Sequence, residues 1–497
     1  MKKIKQRVAY GITSQTKKKK GLFLAKAVAL SLALTSFCFN AQAQNPKIKV
    51  YFTQPVDNTL SSGVNATYLN NVVFDTLAAY INRAKHTIDI CQYEYKTYSG
   101  DPIYVALNNA HTRGVKIRYI QDGSYASTNT GVAALNSAIP VIASPTTSSY
   151  GICHNKFVII DDYSSTDTTK ATVWTGSPDW DYGMTVGDYN NVIIFQSKKL
   201  AHAYTHEFDI MWGDTTHGGA SNSSASLFGP NKPNSGSHIF YVGGSKVELY
   251  FSPSDGVNNQ IVSTIATATR DLYCGMFTFT ENTDANDIVA RKTAGASAYA
   301  ILDNYSSGSS SPYTSILPTG LGNHFVGYVS SSNLYHNKYL IVNPSAPCDD
   351  PKVLTGSHNW TSSADTKNDE NTVIVHDATI ANIYLQSFAK DFKTISGNAI
   401  TVPTNTCSST TGINSINNSE SEFNLFPNPV LDALNITLKN AGETLSVIIT
   451  DQLGRVVLEN TASQTNEMKL NTSALNTGVY FVSVISGNNH YTQKIIK

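Results

Sequence analysis

His154-Asn155-Lys156-Phe157-Val158-Ile159-Ile160-Asp161 returns later in the chain as His336-Asn337-Lys338-Tyr339-Leu340-Ile341-Val342-Asn343. Each copy runs on to a Gly-Ser, first as Gly176-Ser177-Pro178-Asp179-Trp180 and then as Gly356-Ser357-His358-Asn359-Trp360. Each closes on a polar pair before an apolar run, Asn190-Asn191-Val192-Ile193-Ile194 and Glu370-Asn371-Thr372-Val373-Ile374. Alternate side chains of a strand share a face, so His154 and Lys156 point the same way, as do His336 and Lys338. The apolar run after each lysine fits a strand buried on both faces of a central sheet. A lysine in such a strand is costly to bury without an anionic partner. A duplicated sheet alone does not account for two of them beside histidines, and the pattern predicts one bipartite site for phosphoryl transfer.

The duplication extends outward from these motifs. Lys49-Val50-Tyr51-Phe52 matches Glu248-Leu249-Tyr250-Phe251 as an opening strand. Amphipathic helices are predicted near Val72 to Lys85 and Asn258 to Arg270, followed by apolar strands at Thr87 to Tyr95 and Leu272 to Thr280. The first half continues with a helix from Ile103 to Thr112 and a strand from Val115 to Gln121. A helix from Lys198 to Trp212, stopped by Gly213, closes it. Alternating helices and strands predict an α/β fold. The polar stretch from Thr215 to Gly236 reads as a loop between halves, either a plain linker or a substrate-selecting segment.

A phosphodiester needs a nucleophile, an acid for the leaving oxygen and positive charge on the non-bridging oxygens. One imidazole can attack phosphorus while the other protonates the leaving alcohol. Two lysines, with Ser or Asn donors, can hold the spread negative charge. Such a site requires no metal and no cofactor, and no spacing in the chain resembles a zinc site.

These residues resemble the phospholipase D superfamily, whose signature is H-x-K-x4-D followed by a G-S-x-N element. The resemblance spans roughly residues 47 to 395. It implies two similar α/β halves forming one sandwich, with the site on their seam and a covalent phosphohistidine intermediate. His154 is then the nucleophile, His336 the general acid, and Lys156 and Lys338 bind phosphate. Asp161, Ser177, Asp179, Asn191, Ser357, Asn359 and Glu370 form the phosphate-binding or supporting set. Three departures stand out: Asn343 replaces the second signature aspartate, Asp179 stands where asparagine is usual, and Asn190 stands opposite Glu370. A carboxylate beside an imidazole favours its charged form. If each polar residue contacts the histidine of its own copy, Glu370 makes His336 the better acid and leaves His154 the better neutral nucleophile. Asp179 undoes this asymmetry if it partners His154.

The first 43 residues read as a secretory signal, with a charged stretch at Lys17 to Lys20, an apolar core from Ala27 to Phe37 and Ala41-Gln42-Ala43 as cleavage pattern. This segment holds nine of the 36 basic residues and none of the 36 acidic ones, so its removal leaves a formal charge of −9. An acidic mature chain lacks the bulk attraction that nucleic-acid binding draws on. Of six cysteines, Cys38 leaves with the signal. Cys91 and Cys274 read as small core residues, Cys153 is expected to face away from the site, and Cys348 and Cys407 are the candidate disulfide.

After a Ser/Thr/Asn-rich stretch, short alternating strands are predicted at Leu434 to Leu438, Ser446 to Asp451, Val456 to Glu459 and Val479 to Ile485, describing a small β-sandwich. Phe426-Pro427-Asn428-Pro429, Asp451-Gln452-Leu453-Gly454-Arg455, Gly478-Val479-Tyr480-Phe481-Val482 and the Lys494 to Lys497 end together resemble the type A sorting domain of the type IX secretion system. The resemblance implies passage through the periplasm, handling by that machinery and release or surface display. The expected organisation is signal peptide 1–43, first half 44–242, second half 243–400, linker 401–422 and sorting domain 423–497. The leading functional expectation is a secreted, monomeric phosphodiesterase that hydrolyses or transfers the phosphatidyl group of phospholipids at lipid surfaces. A nuclease of the same superfamily and an inactive surface-binding module are the rivals, with nucleic acid disfavoured by the charge. Tyr93, Tyr95, Tyr125 and Tyr150 are candidates to line an entrance.

Overall fold

The computed structural model describes residues 45–404 and 423–497, apart from 148, 164–169, 218, 439–443, 452–455, 464 and 487–488. The signal segment, Cys38, Cys407, most of the linker and the Gln452-Leu453-Gly454-Arg455 turn lie outside the described residues.

The first half builds a seven-stranded sheet from β1 (Ile48–Phe52), β2 (Thr87–Gln92), β3 (Lys116–Gln121), β4 (Val141–Ala143), β5 (Lys156–Ile160), β6 (Thr172–Gly176) and β7 (Asn191–Gln196). Its order is β1-β7-β6-β5-β2-β3-β4. The second half has β8 (Ile239–Val242), β9 (Ser245–Ser252), β10 (Asp271–Met276), β11 (Ser297–Asp303), β12 (Phe325–Tyr328), β13 (Lys338–Val342), β14 (Lys352–Gly356) and β15 (Glu370–His376). Its order, β8-β9-β15-β14-β13-β10-β11-β12, repeats the first sheet strand for strand, with β8 added at one edge. In each sheet the motif strand is central and antiparallel to both neighbours: β5 lies between β2 and β6, and β13 between β10 and β14.

The helices form where an apolar stripe meets capping signals. In α1 (Val73–Arg83) the stripe is Val73, Phe74, Leu77, Ala78 and Ile81, all buried. Ile103–Thr112 forms α2 at the bounds predicted for it. So does α3 (Lys198–Trp212): the Ser197 hydroxyl accepts from the Leu200 amide at its start, and Gly213 ends it at φ 77°. In the second half, α4 (Val257–Ala266) and α5 (Asn282–Thr293) take the places of α1 and α2. The closing helix α6 (Ala378–Ser396) repeats the caps of α3, with Asp377 at its start and Gly397 at φ 78°.

A central core joins the inner faces of both sheets with α3 and α6. It contains Phe157 and Ile159 of β5, Tyr339 and Ile341 of β13, Tyr204 and Phe208 of α3, and Tyr384 and Phe388 of α6. Two outer cores lie beneath the remaining helices, one with Val158 and Ile160 facing α1 and α2, the other with Leu340 and Val342 facing α4 and α5. Both motif strands are therefore buried on both faces. Each large apolar side chain so covered stabilises the fold by about 1.5–3 kcal/mol, which offsets the cost of seating a lysine at each strand's head.

Residues 423–496 form a separate all-antiparallel region. One sheet holds Phe423–Phe426, Ala433–Leu438 and Glu467–Asn471; the other holds Val456–Ser463, Thr444–Asp451, Val479–Ser486 and Asn489–Ile496. They share a core of their own, including Leu434, Ile436, Val447, Ile449, Val482 and Val484. Three of these strands, at Phe423, Glu467 and Asn489, go beyond the four predicted. Among the described residues no helix is long and apolar enough to cross a membrane. Cys91 and Cys274 are buried core residues as expected. Cys348 is disulfide-bonded, and Cys407 lies outside the described residues.

Candidate active site

The heads of β5 and β13 bring His154, Lys156, His336 and Lys338 together at the seam, each at most 5% exposed. The polar residues that end each copy cross the seam. His154 Nδ1 lies 2.8 Å from Oε2 and 2.9 Å from Oε1 of Glu370, in the other half. His336 Nδ1 lies 3.0 Å from Oδ1 of Asn190, again in the other half. The expectation that each residue serves its own histidine is corrected. The strands β7 and β15 each start at the seam, so the residues there face the opposing motif.

The crossing is held by backbone. His154 N–H donates to the Asp369 carbonyl at 2.9 Å and Asp369 N–H to the Ile152 carbonyl at 3.0 Å; Tyr189 N–H likewise donates to the Leu334 carbonyl at 2.9 Å. The Gly-Ser elements position the crossing residues. Ser177 Oγ donates to Asn190 Oδ1 at 2.8 Å, and Ser357 Oγ to Glu370 Oε2 at 2.7 Å. Each serine also accepts the next amide of the facing strand, from Asn191 and Asn371. The preceding glycines cannot be replaced cheaply. Gly176 and Gly356 adopt φ of 156° and 149°, and a Cβ there would lie 2.2 and 2.1 Å from the carbonyls of Asn191 and Asn371.

Asn190 also fixes a tautomer. Its Nδ2 donates to the Met184 carbonyl, so Oδ1 faces His336 as an acceptor. His336 then carries its proton on Nδ1, and its Nε2 accepts from Lys338 Nζ at 3.1 Å. A carboxylate behind His154 fixes the same tautomer there. Both imidazoles are held well below their usual pKa, first by burial and then by the lysines. Burial, followed by Lys156, also lowers Lys338, while burial raises Glu370. Burial and the lysines thus favour the neutral form of both imidazoles, and an anion placed among these groups would favour their charged forms.

The supporting residues separate into distinct jobs. Asp179 does not partner His154: its Oδ1 lies 3.0 Å from Lys156 Nζ and its Oδ2 3.9 Å from His336 Nε2. Asn359, its counterpart, accepts the Thr278 amide at 3.3 Å. Asn191 is a seam residue rather than a phosphate ligand, donating to Asn337 and accepting from Thr355 and Tyr384. Asp161 lies at the far end of β5 from His154. Its carboxylate accepts the amides of Lys85, His86 and Thr87, and its own φ is 55°. A role for Asp161 at phosphate is corrected by this placement. Asn343 repeats that geometry at φ 54°, with its Oδ1 accepting from Thr269 and Arg270. The amide oxygen accepts these bonds as a carboxylate does, while Nδ2 donates to the Thr267 and Asp349 carbonyls.

Phe277, Asp122 and Asp303 escaped the sequence reading, which named Tyr93 only as an entrance candidate. Tyr93 packs edge-on against His154 at 4.8 Å and under Lys156 at 4.9 Å; Phe277 does the same for His336 at 4.6 Å and Lys338 at 5.1 Å. Asp122, just after β3, and Asp303, the last residue of β11, accept the amide of the residue before each histidine, Cys153 and Tyr335. Their signal was an acid at the end of equivalent strands. Of the four candidate entrance tyrosines, Tyr93 and Tyr125 pack together at the site. Tyr95 and Tyr150 are buried, bonded to Asp101 and Asp369, and line no entrance. The Cys153 thiol points to Cys91, 3.4 Å away in the core. The Thr215 to Gly236 segment is anchored at one end of its run. Lys232 is buried between Glu207 and Asp369, and the Gly229 amide donates to Asp369. That braces the residue next to Glu370.

The family model for "Cardiolipin synthase, PLD-like domain" matches residues 77–212 and 261–392, together more than half of the chain. That for the "Secretion system C-terminal sorting domain" matches residues 424–497. A phospholipase D of Rickettsia bellii is 27% identical over 151 residues, 30% of this chain and 71% of that protein. A mitochondrial cardiolipin hydrolase of Xenopus tropicalis is 28% identical over 140 residues, 28% of this chain and 60% of that protein. Among solved structures, a phosphatidylserine synthase of Haemophilus influenzae aligns with a TM-score of 0.48 at 13% identity, covering 72% of this chain and 88% of that one. With both halves of the sandwich matched and the sorting domain behind them, the chain belongs to the phospholipase D superfamily and carries a type IX secretion sorting domain.

Proposed function

We propose that this protein is a secreted phospholipase D-type phosphodiesterase that cleaves or transfers the phosphatidyl group of phospholipids through a phosphohistidine intermediate. The observation that carries the reading is the unlike backing of the two histidines: a carboxylate, Glu370, behind His154 and an amide, Asn190, behind His336. His154 Nε2 attacks phosphorus as the P–O bond to the leaving alcohol breaks, and the ring, phosphorylated at one nitrogen and protonated at the other, becomes cationic. Glu370 stabilises that cation. With the diester bound, His336 takes a second proton on Nε2 from solvent or from Lys338 Nζ, 3.1 Å away, gives it to the leaving oxygen, and then takes one from the water or alcohol that attacks the phosphohistidine. With no carboxylate behind it, its imidazolium is the stronger acid. These are the roles expected from the sequence, for the opposite electrostatic reason. Lys156 and Lys338 hold the non-bridging oxygens, and the charge of the arriving diester restores the proton affinity that burial removed.

Lipid is the favoured substrate class. The names of the matched relatives point that way, and aromatic side chains surround the site. Tyr182 and Tyr305, in the short helices Tyr182–Val186 and Asn304–Ser307 that follow Asp179 and Asp303, are 58% and 82% exposed. The basic groove of the first half, lined by Lys47, Lys49, Arg83, Lys85 and Arg113, sits at the far end of β5 beside Ile160. It does not lead a nucleic-acid strand to His154. One chain supplies both His/Lys pairs, so the catalytic unit is a monomer, exported after removal of a signal peptide.

The test offers phosphatidylcholine vesicles and single-stranded DNA to the purified protein at low and moderate salt, beside His154→Ala and His336→Ala. Lipid turnover lost in both variants is the expected result. DNA cleavage that falls steeply with salt while vesicles stay intact moves the assignment to nuclease, and turnover kept in either variant refutes the bipartite site.

A further inference from the structure

The two copies exchange an amide and a carboxylate between two positions. The first has Asp179 after its Gly-Ser and Asn190 at the crossing position; the second has Asn359 and Glu370. Each copy thus contributes one carboxylate, but the first places it in front of the histidines instead of behind one. Asp179 is 4% exposed and lies against Lys156 at 3.0 Å and towards His336 Nε2 at 3.9 Å. Those are the atoms that would face a phosphoryl group carried by His154. Its place is built: Gln92 Nε2 donates to Asp179 Oδ1 at 3.4 Å, whereas the corresponding residue of the second half is the apolar Met276. Lys338, in contrast, points its Nζ to His336 Nε2 and the His336 carbonyl.

We infer that Asp179 is a specificity-determining residue that makes the pocket accept a singly charged phosphodiester and disfavour a doubly charged phosphomonoester. The inference rests on the phosphodiesterase reading above. A diester brings one negative charge, which Lys338 takes while Lys156 remains shared with Asp179. Hydrolysis leaves a monoester that gains a second charge a few ångströms from the Asp179 carboxylate. Like charges at that separation in a water-poor site repel strongly. The carboxylate therefore speeds release of the product and limits inhibition by free phosphate.

The experiment measures binding without turnover. Inorganic phosphate and diethyl phosphate are titrated calorimetrically at pH 8 into the full chain, Asp179→Asn and Asn359→Asp. Asp179→Asn should tighten inorganic phosphate by about 10- to 100-fold, the scale of one removed like charge, and diethyl phosphate, with half the charge, by about 3- to 10-fold. Asn359→Asp, which adds a carboxylate at the equivalent position, should weaken inorganic phosphate. Equal tightening of both probes by Asp179→Asn, or weaker phosphate binding in that variant, overturns the role of Asp179. Failure of every protein to bind either probe overturns the phosphate-pocket reading itself.

Discussion

Glu370→Gln isolates the charge behind the nucleophile. Glutamine keeps the length of the side chain, can accept from His154 Nδ1, and can still take the hydrogen bond that Ser357 Oγ gives at 2.7 Å. The resting tautomer is therefore preserved. What is lost is the negative charge 2.8 Å from Nδ1 when the ring becomes cationic. A hydrogen bond to a charged partner is worth about 1.5–3 kcal/mol, and the burial of Glu370 at 0% exposure places it in the range where screening by water is weak. At 1.36 kcal/mol per decade the rate of phosphoenzyme formation should fall about 10- to 150-fold. The assay is a rapid-quench burst on a short-chain phosphatidyl substrate with a chromogenic leaving group. That leaving group needs no protonation, so His336 drops out of the first step. The variant should show a slowed burst with an unchanged midpoint in urea. A burst within threefold of the parent refutes the idea that Glu370 stabilises the phosphorylated ring. A burst lost together with the fold is resolved by Ser357→Ala, which loosens Glu370 without removing it and should slow the burst less.

Gly356→Ala places a Cβ 2.1 Å from the Asn371 carbonyl at a φ of 149° and should cost about 1–3 kcal/mol in a denaturant titration; an unshifted midpoint refutes the close approach. Deleting residues 423–497 should leave the purified enzyme's turnover intact, because that region has its own core, but keep the protein out of the medium; normal release contradicts the sorting role. Burial pushes the Asp284 carboxyl up to about 7, above an unfolded value of about 4. Its contribution is fully present below pH 4 and lost as pH rises through 7, so urea midpoints should fall between pH 4 and 7 and level off above. Asp284→Asn should flatten that fall, and an equal fall in parent and variant rules Asp284 out as its source.

Much of the fold was legible because strand and helix periods are local. Two helices, Ile103–Thr112 and Lys198–Trp212, have the bounds read from their stripes and stop signals. Two strands were read three and four residues too long at their site ends, Thr87 to Tyr95 against Thr87–Gln92 and Leu272 to Thr280 against Asp271–Met276, because the apolar side chains continue past the last ladder bond into the pocket wall. Tyr93 and Phe277 are those continuations. In the sorting region the missed strands were edge or polar ones, whose alternation is weak.

The site was legible in its four motif residues and illegible in their pairing. Which polar residue serves which histidine depends on contacts between positions 216 and 146 residues apart, and no spacing rule reaches that far. The three departures from the family pattern show what such contacts decide. Asn343 faces backbone amides, which its amide oxygen serves as a carboxylate does, while its Nδ2 donates to backbone carbonyls. Asn190 faces His336, where the loss of charge sets the acidity of one ring against the other. Asp179 faces a lysine and the place of the phosphoryl group, where the gain of charge is felt by every anion that enters. Similar exchanges of amide and carboxylate thus differ in consequence because of what stands within 4 Å of them. A copy-by-copy alignment can locate such positions, but only the crossed seam assigns their effects.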